Sequence, residues 1–403
     1  MRAKAILVCT FLLISAVGVG AATYKTLHSF GGFGDGESPY PGVILDQAGN
    51  LYGVAAWGEV SEGTVFQLTP SPGYWTFNAL HQFPLQDSSP PDGDPEGAGP
   101  IGGLARDEAG NLYGTASYGH TQDSWCGTVF KLSPSGSHWT FTVLHYFAGA
   151  DGCDPEAALS YSNGWLWGTT KSGGFKDRGT VFSMQTSGES FQFDSFSGKC
   201  KGHDPSSAFN LWGYGTTLRG GWKDLGNIYR LDPAKRLINK YSFTADGNAG
   251  YAPMGDLLAL YVGGVRTIYG TTQAGGAGGG GTVYRLTEIQ PNSDRWRISV
   301  LHSFSSSSGS GEGWDPMAGL TADSAGNLYG TTYRGGLGCG TVFKLSPGKN
   351  NQWAHTILHS FDNSYSEGCW PRGGVVFDKA GNLYGTTELG GDSGWGTVYE
   401  ITP

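Results

Sequence analysis

The sequence predicts an all-β chain closed into a seven-bladed propeller of four-stranded blades, and three observations lead there. An aromatic-glycine pair recurs seven times, at Tyr52-Gly53, Tyr113-Gly114, Trp167-Gly168, Tyr214-Gly215, Tyr269-Gly270, Tyr329-Gly330 and Tyr384-Gly385. Successive glycines of these pairs lie 61, 54, 47, 55, 60 and 55 residues apart. A period of roughly 50 residues built from several short β-like runs is the mark of a solenoid, a propeller or an array. The phase of the repeat then selects the propeller. The first recognisable element, Leu27 to Phe30, is the last element of a repeat, whereas the stretch from Thr397 to Pro403 halts just before that element is due. The N-terminal strand is therefore expected to complete the last blade and close the ring.

Within the clearest unit, residues 316–361, four runs are rich in Val, Thr, Tyr, Phe and Leu and are bounded by Gly, Asn, Asp or Pro. That is strand-and-turn chemistry. Strand a runs from Pro316 to Ala322, strand b is Leu328 to Thr332, strand c starts at Thr341, and strand d runs from Trp353 to Phe361. An Ala-Gly-Asn turn joins a to b at Ala48, Ala109, Ala325 and Ala380, and its glycine is expected at positive φ. No stretch shows the three-and-four apolar spacing of an amphipathic helix. The strand-a prolines are Pro39, Pro100, Pro155, Pro205, Pro253, Pro316 and Pro371. Strand a is expected to line the central channel. The d-to-a crossovers and b-to-c loops then emerge together on one face. Single blades cannot bury their own apolar faces, so residues 23–403 are expected to form one domain.

Residues 1–22 read as a signal peptide: Arg2 and Lys4, then an apolar run from Ala5 to Val17, then Gly20-Ala21-Ala22. That run is too short for a membrane span. Without Arg2 and Lys4 the chain keeps 23 basic against 34 acidic side chains. Such acidity disfavours nucleic acid as a partner. Cys126 and Cys339 stand immediately before strand c, and Cys153 and Cys369 each lie two residues before a strand-a proline. Strand c starts and strand d ends on the same face, so the expected disulfides are Cys126–Cys153 and Cys339–Cys369. An oxidising, extracytoplasmic location follows (secreted, periplasmic or cell-surface). Cys200 is left without a partner.

The succession Ala-Gly-Asn-Leu-Tyr-Gly-Thr-Thr, Gly-Gly, Gly-Thr-Val-Phe-Lys-Leu-Ser-Pro and Leu-His-Ser-Phe, most complete over 316–403, resembles the GloVer tandem repeat of exported bacterial proteins. The resemblance spans residues 24–403 and implies secretion and tandem architecture. It brings no assigned activity and no catalytic residues. Some members end in a sorting or anchoring segment, and none follows Pro403 here, so surface anchoring is not expected.

A residue present in most blades reads first as structural. His28, His81, His145, His302 and His359 occupy one position of strand d. Equivalent positions on radial outer strands point apart, so no metal is expected there. Function is sought where the pattern breaks, in repeats three and four. Their loops carry Lys171, Phe175, Lys176 and Arg178, then Lys199, Lys201 and His203, then Arg219, Trp222 and Lys223. Repeats one and two place Asp35, Glu37, Glu59, Glu62, Asp87, Asp92, Asp94 and Glu96 on the same face. Cations interleaved with aromatics suit an acidic glycan, whose charged groups meet Lys or Arg while its sugar faces stack on rings. The reading is a secreted, non-enzymatic binding or scaffold protein, monomeric, needing no cofactor, with an acidic polysaccharide or a cell-surface protein as its partner. One rival is a carbohydrate-active hydrolase or lyase using carboxylates at the channel mouth, from Asp154, Asp204, Asp256 and Asp315. Another is a structural component of a cell-surface assembly. No His-Glu-x-x-His or Gly-x-Ser-x-Gly motif is present.

Overall fold

The computed structural model describes residues 22–403, except 33, 86–95, 120–124, 199–200, 211, 233–235, 245–247, 291–292, 294 and 308. Residues 1–21 of the signal-like segment, Lys199, Cys200, Asp87, Asp92 and Asp94 thus lie outside the described residues.

Seven four-stranded antiparallel sheets make up seven blades, six of them built from four consecutive strands. The seventh joins the strand Thr23–Ser29 to the last three strands of the chain. Thr23 faces Thr402 and Ser29 faces Thr397 across that ladder. The ring is closed as the phase of the repeat predicts. Among the described residues the buried apolar side chains fall into seven clusters, and each bridges two adjacent blades. One of them, with Phe30 and Val398 against Val43, Leu51 and Phe66, seals the last blade to the first.

The aromatic-glycine pair has a packing cause. A Cβ added to Gly53, Gly114, Gly168, Gly215, Gly270, Gly330 or Gly385 would lie within 2.8 Å of the aromatic side chain opposite on strand c. Those side chains are Phe66, Phe130, Phe182, Tyr229, Tyr284, Phe343 and Tyr399, each essentially without solvent exposure. The tip of each ring abuts bare glycine backbone, which fills the blade interior densely.

The aromatic residue before the glycine binds the a-to-b turn. Asp46 accepts from the Ala48 and Asn50 N–H groups at 2.9 Å, from Asn50 Nδ2 at 2.8 Å and from the Tyr52 hydroxyl at 3.1 Å. Asp323 and Asp378 do the same in their blades. Burial alone would raise these carboxyls, but the donated hydrogen bonds outweigh it and hold Asp46, Asp323 and Asp378 below the ordinary carboxylate range. The turn glycines Gly49, Gly110, Gly326 and Gly381 take φ of 82–92° as expected.

Strand a differs from expectation. Its paired part is only two or three residues in several blades, such as Val43–Leu45 and Val376–Phe377, and begins beyond the proline. Near the axis the inner segments of neighbouring blades approach closely: a Cβ on Gly42 would meet Gly374 O at 2.9 Å.

Both expected disulfides are present, Cys126–Cys153 and Cys339–Cys369, closing spans of 27 and 30 residues. Each ties a b-to-c loop to the following crossover. Replacing either pair by serine is expected to lower stability by about 3 kcal/mol, read as the shift in the denaturation midpoint.

The strand-d histidines serve as interblade staples. His28, His81, His145, His302 and His359 stack on Phe77, Phe141, Phe191, His355 and Tyr24, at ring separations of 3.7–4.4 Å. Each also meets its own carboxylate, Asp35, Glu96, Asp151, Glu312 or Glu367, at 2.8–3.1 Å. His302, Glu312 and His355 form the one group of three possible metal ligands among the described residues. The two imidazole planes are only 5° from parallel at 4.4 Å, however, so their in-plane lone pairs do not converge on one ion.

Burial lowers the His355 pKa to about 4, with His302 adding to the effect. A folded pKa below the unfolded value of about 6.5 gives stability that is complete above that pH and is lost as pH falls towards 4. His355→Phe restores the aromatic found at this position in other blades. It is expected to gain about 1 kcal/mol over the wild type at pH 5 after solvent screening, a Tm advantage of about 2 °C that vanishes at pH 7.5.

Candidate functional site

The crossovers and b-to-c loops do share one face. In each blade a short antiparallel bridge joins them: Glu37 to Trp57, Ala98 to Tyr118, Cys153 to Ser172, His203 to Arg219, Tyr251 to Ala274, Trp314 to Arg334 and Cys369 to Leu389. The residue after each crossover partner takes a left-handed conformation with φ of 54–62°: Ser38, Gly99, Asp154, Asp204, Ala252, Asp315 and Trp370. Asp, Ser and Gly suit that conformation. Asp154, Asp204 and Asp315 therefore have a backbone role, in line with their repetition before proline. Trp370 is the bulky exception, and a strained position of that kind belongs where function is sought.

Inside the ring of bridges lies a cavity of about 390 Å³ at the channel mouth. Tyr40, Trp57 and Tyr118 form its aromatic wall, and Glu156, Lys171, Asp204, Asp256 and Arg372 supply charge. The Trp57 and Tyr118 rings stack at 5.9 Å. The Arg372 guanidinium sits 5.0 Å from the Tyr40 ring. Further round, Arg334 lies 5.2 Å from Trp314 and 5.5 Å from Tyr333, whose ring is 5.5 Å from Trp370. Arginine and aromatic rings thus alternate over blades six, seven and one.

Sequence reasoning pointed to the loops of repeats three and four. Lys171 reaches the cavity, but its Nζ is 2.9 Å from Glu156. Lys201 lies 4.0 Å from Asp194, and Arg219 lies 3.7 Å from Asp204. His203 bridges Asp204 at 3.2 Å and Asp224 at 3.0 Å. The Arg178 guanidinium lies against Gly198. Phe175 and Trp222 stand 70% and 79% exposed, and Lys176 is 5.7 Å from the Phe175 ring. Lys223 is exposed beside Trp222. The cations gather on adjacent blades as expected, but Lys171, Lys201, His203 and Arg219 each face a carboxylate, which reduces the basic excess.

The sequence profile of the Gloeobacter/Verrucomicrobia repeat matches three overlapping stretches, residues 14–140, 92–264 and 213–403. The chain belongs to this family. No curated protein is significantly similar to it in sequence. Among solved structures, this repeat protein is similar to one from Bacteroides uniformis described as a 6-phosphogluconolactonase (14% identity, TM-score 0.50, covering 81% of this chain and 85% of that one). An α-L-arabinanase from Penicillium chrysogenum, complexed with arabinobiose, matches at 11% identity and TM-score 0.49 over 94% of this chain and 97% of its own. A Thermus thermophilus protein described as an oxidoreductase (glucose dehydrogenase) matches at 13% identity and TM-score 0.47 over 95% and 100%. At such identities the likeness concerns the fold alone. No helix among the described residues is long and apolar enough to cross a membrane. Two disulfides are compatible with an extracytoplasmic location.

Proposed function

We propose that this protein is an exported glycan-binding protein whose ligand sits in the channel mouth on the crossover face. The observation that carries the reading is the mouth cavity of about 390 Å³, walled by Tyr40, Trp57 and Tyr118 and rimmed by paired charges. Its volume lies in the range of small-ligand sites. Flat aromatic surface stacks on sugar rings while Glu156, Lys171, Asp204 and Arg372 offer both donors and acceptors to hydroxyls. The loops of blades three and four, with Phe175, Lys176, Arg178, Trp222 and Lys223, would form the outer edge of the site and meet more distal sugars.

Binding to an array of neutral, acidic and amino polysaccharides, at low and physiological salt, tests the proposal. Trp57→Ala removes half of the stacked pair from a partly exposed position. It is expected to weaken retention about tenfold, as loss of one stacking platform does, with Tm unchanged. No retention of any glycan by the wild type would overturn the reading. A hydrolase or lyase is the second reading, supported by three carboxylates, Glu156, Asp204 and Asp256, facing one cavity. Release of shorter products by the wild type, abolished in Glu156→Gln, would establish it.

A further inference from the structure

The waist of the channel is formed by the third residue after each strand-a proline: Gly42, Gly103, Ala158, Ala208, Asp256, Gly319 and Gly374. All seven line a second cavity of about 330 Å³ on the far side, and Asp256 faces both cavities. Six of the seven carry no side chain beyond a methyl group. Asp256 is the single exception, and its neighbours leave room for it: a Cβ on Gly319 would come to 3.0 Å from Asp256 Cβ. The Ala208 N–H donates to Oδ1 at 2.7 Å and fixes the carboxyl. Protein surrounds this side chain laterally, while its free surface opens into the lumen. The Tyr229 hydroxyl, buried and without a hydrogen-bond partner among the described residues, lies within electrostatic reach of it.

Four acidic side chains around the mouth have cationic neighbours. Glu156 has Lys171 at 2.9 Å, Asp204 has Arg219 at 3.7 Å, Glu388 has Arg372 at 3.9 Å and Asp315 has Arg334 at 3.9 Å. No cationic side chain pairs with Asp256 among the described residues. Its carboxylate, exposed towards the lumen, is left without a partner charge. A cationic ligand would supply that charge. The chain as a whole carries a net charge of −9, a field that draws cations and repels polyanions. The aromatic mouth above Asp256 is also a favourable surface for an ammonium group on its way in.

We propose that the channel receives the end of a glycan bearing an unacetylated amino sugar, with the ammonium group paired to Asp256 at the waist. The inference rests on the glycan-binding reading of the mouth and names its ligand class. It replaces the acidic glycan expected from the loop charges, since Lys171, Lys201, His203 and Arg219 are answered by carboxylates and Asp256 is not answered by any.

The test uses the full-length protein and three probes: a β-1,4-linked glucosamine tetramer, the same tetramer fully N-acetylated, and 1,4-diaminobutane. The free-amine tetramer is expected to bind about tenfold tighter than the acetylated one, and less tightly as salt rises. Asp256→Asn keeps the acceptor for the Ala208 N–H and removes the charge. It is expected to abolish the difference between the tetramers while Tm stays unchanged. Equal binding of the two tetramers by the wild type overturns the inference and leaves the mouth as a glycan site. Binding of neither tetramer nor any arrayed glycan overturns both. Binding of the diamine as tightly as the amino tetramer also overturns the inference, because the sugar would then contribute nothing.

Discussion

Deleting residues 22–31 is expected to abolish cooperative folding, or to lower Tm by more than about 15 °C, the largest effect of any change considered for this chain. The strand Thr23–Ser29 is the outer strand of the last blade, and its removal leaves Thr397–Thr402 as an exposed edge. The deletion also withdraws Phe30 from the seam between the last and first blades, where it has no solvent exposure. It withdraws Tyr24 too, which stacks on His359 at 4.2 Å and packs beside the seam between blades six and seven. An open ring has two unsealed blades instead of none. Phe30→Ala separates loss of the seam from loss of the strand. It keeps the ladder and is expected to cost about 3–5 kcal/mol, measured by chemical denaturation. A deletion variant that unfolds cooperatively at the wild-type temperature would mean that the ring is not held shut by this strand.

Much of this architecture is legible because it is repetitive. Blade number, strand order, ring closure and both disulfides follow from positions that recur in register, where periodicity averages out the ambiguity of any single short strand. Strand a was the weak point. Its residues answer to the crowding of seven chains around an axis, which is a property of the closed ring and of no local pattern. In blades one and seven the strand begins beyond its proline.

The candidate site was less legible for a related reason. The search for broken patterns settled on repeats that depart in many places, and so on the loops of repeats three and four. The mouth, proposed above as the ligand site, is written in single positions that vary while their surroundings stay fixed. The residue bridged to each crossover is Trp57, Tyr118, Ser172, Arg219, Ala274, Arg334 or Leu389, and the waist residue is Gly or Ala in six blades and Asp256 in one. Reading the repeats position by position would have found Asp256. It would not have found the pairing of Arg372 with Tyr40 or of Lys171 with Glu156, because each joins residues whose proximity depends on the radius of the ring.

Gly114→Ala is the second large effect expected, and it tests why the aromatic-glycine pair exists at all. The glycine has no need of unusual backbone angles, since it is not among the positive-φ residues. Its requirement is steric. An added methyl would run into the Phe130 ring from one side and come within 3.1 Å of Leu104 from another. Both neighbours are buried in the seam between blades one and two, so neither can swing into solvent. Accommodation would have to separate strands b and c or tilt the ring off the backbone. Overpacking of this kind costs about 1–3 kcal/mol, and the rigid surroundings place this site at the upper end. Alanine is otherwise the better residue in a strand, because glycine is penalised by the freedom it loses. A purely local account therefore predicts the opposite sign. A midpoint shift of about 3 kcal/mol towards instability supports ring-over-backbone packing as the reason for the repeat. An unchanged or more stable variant would refute it, and the recurring glycine would then need another cause.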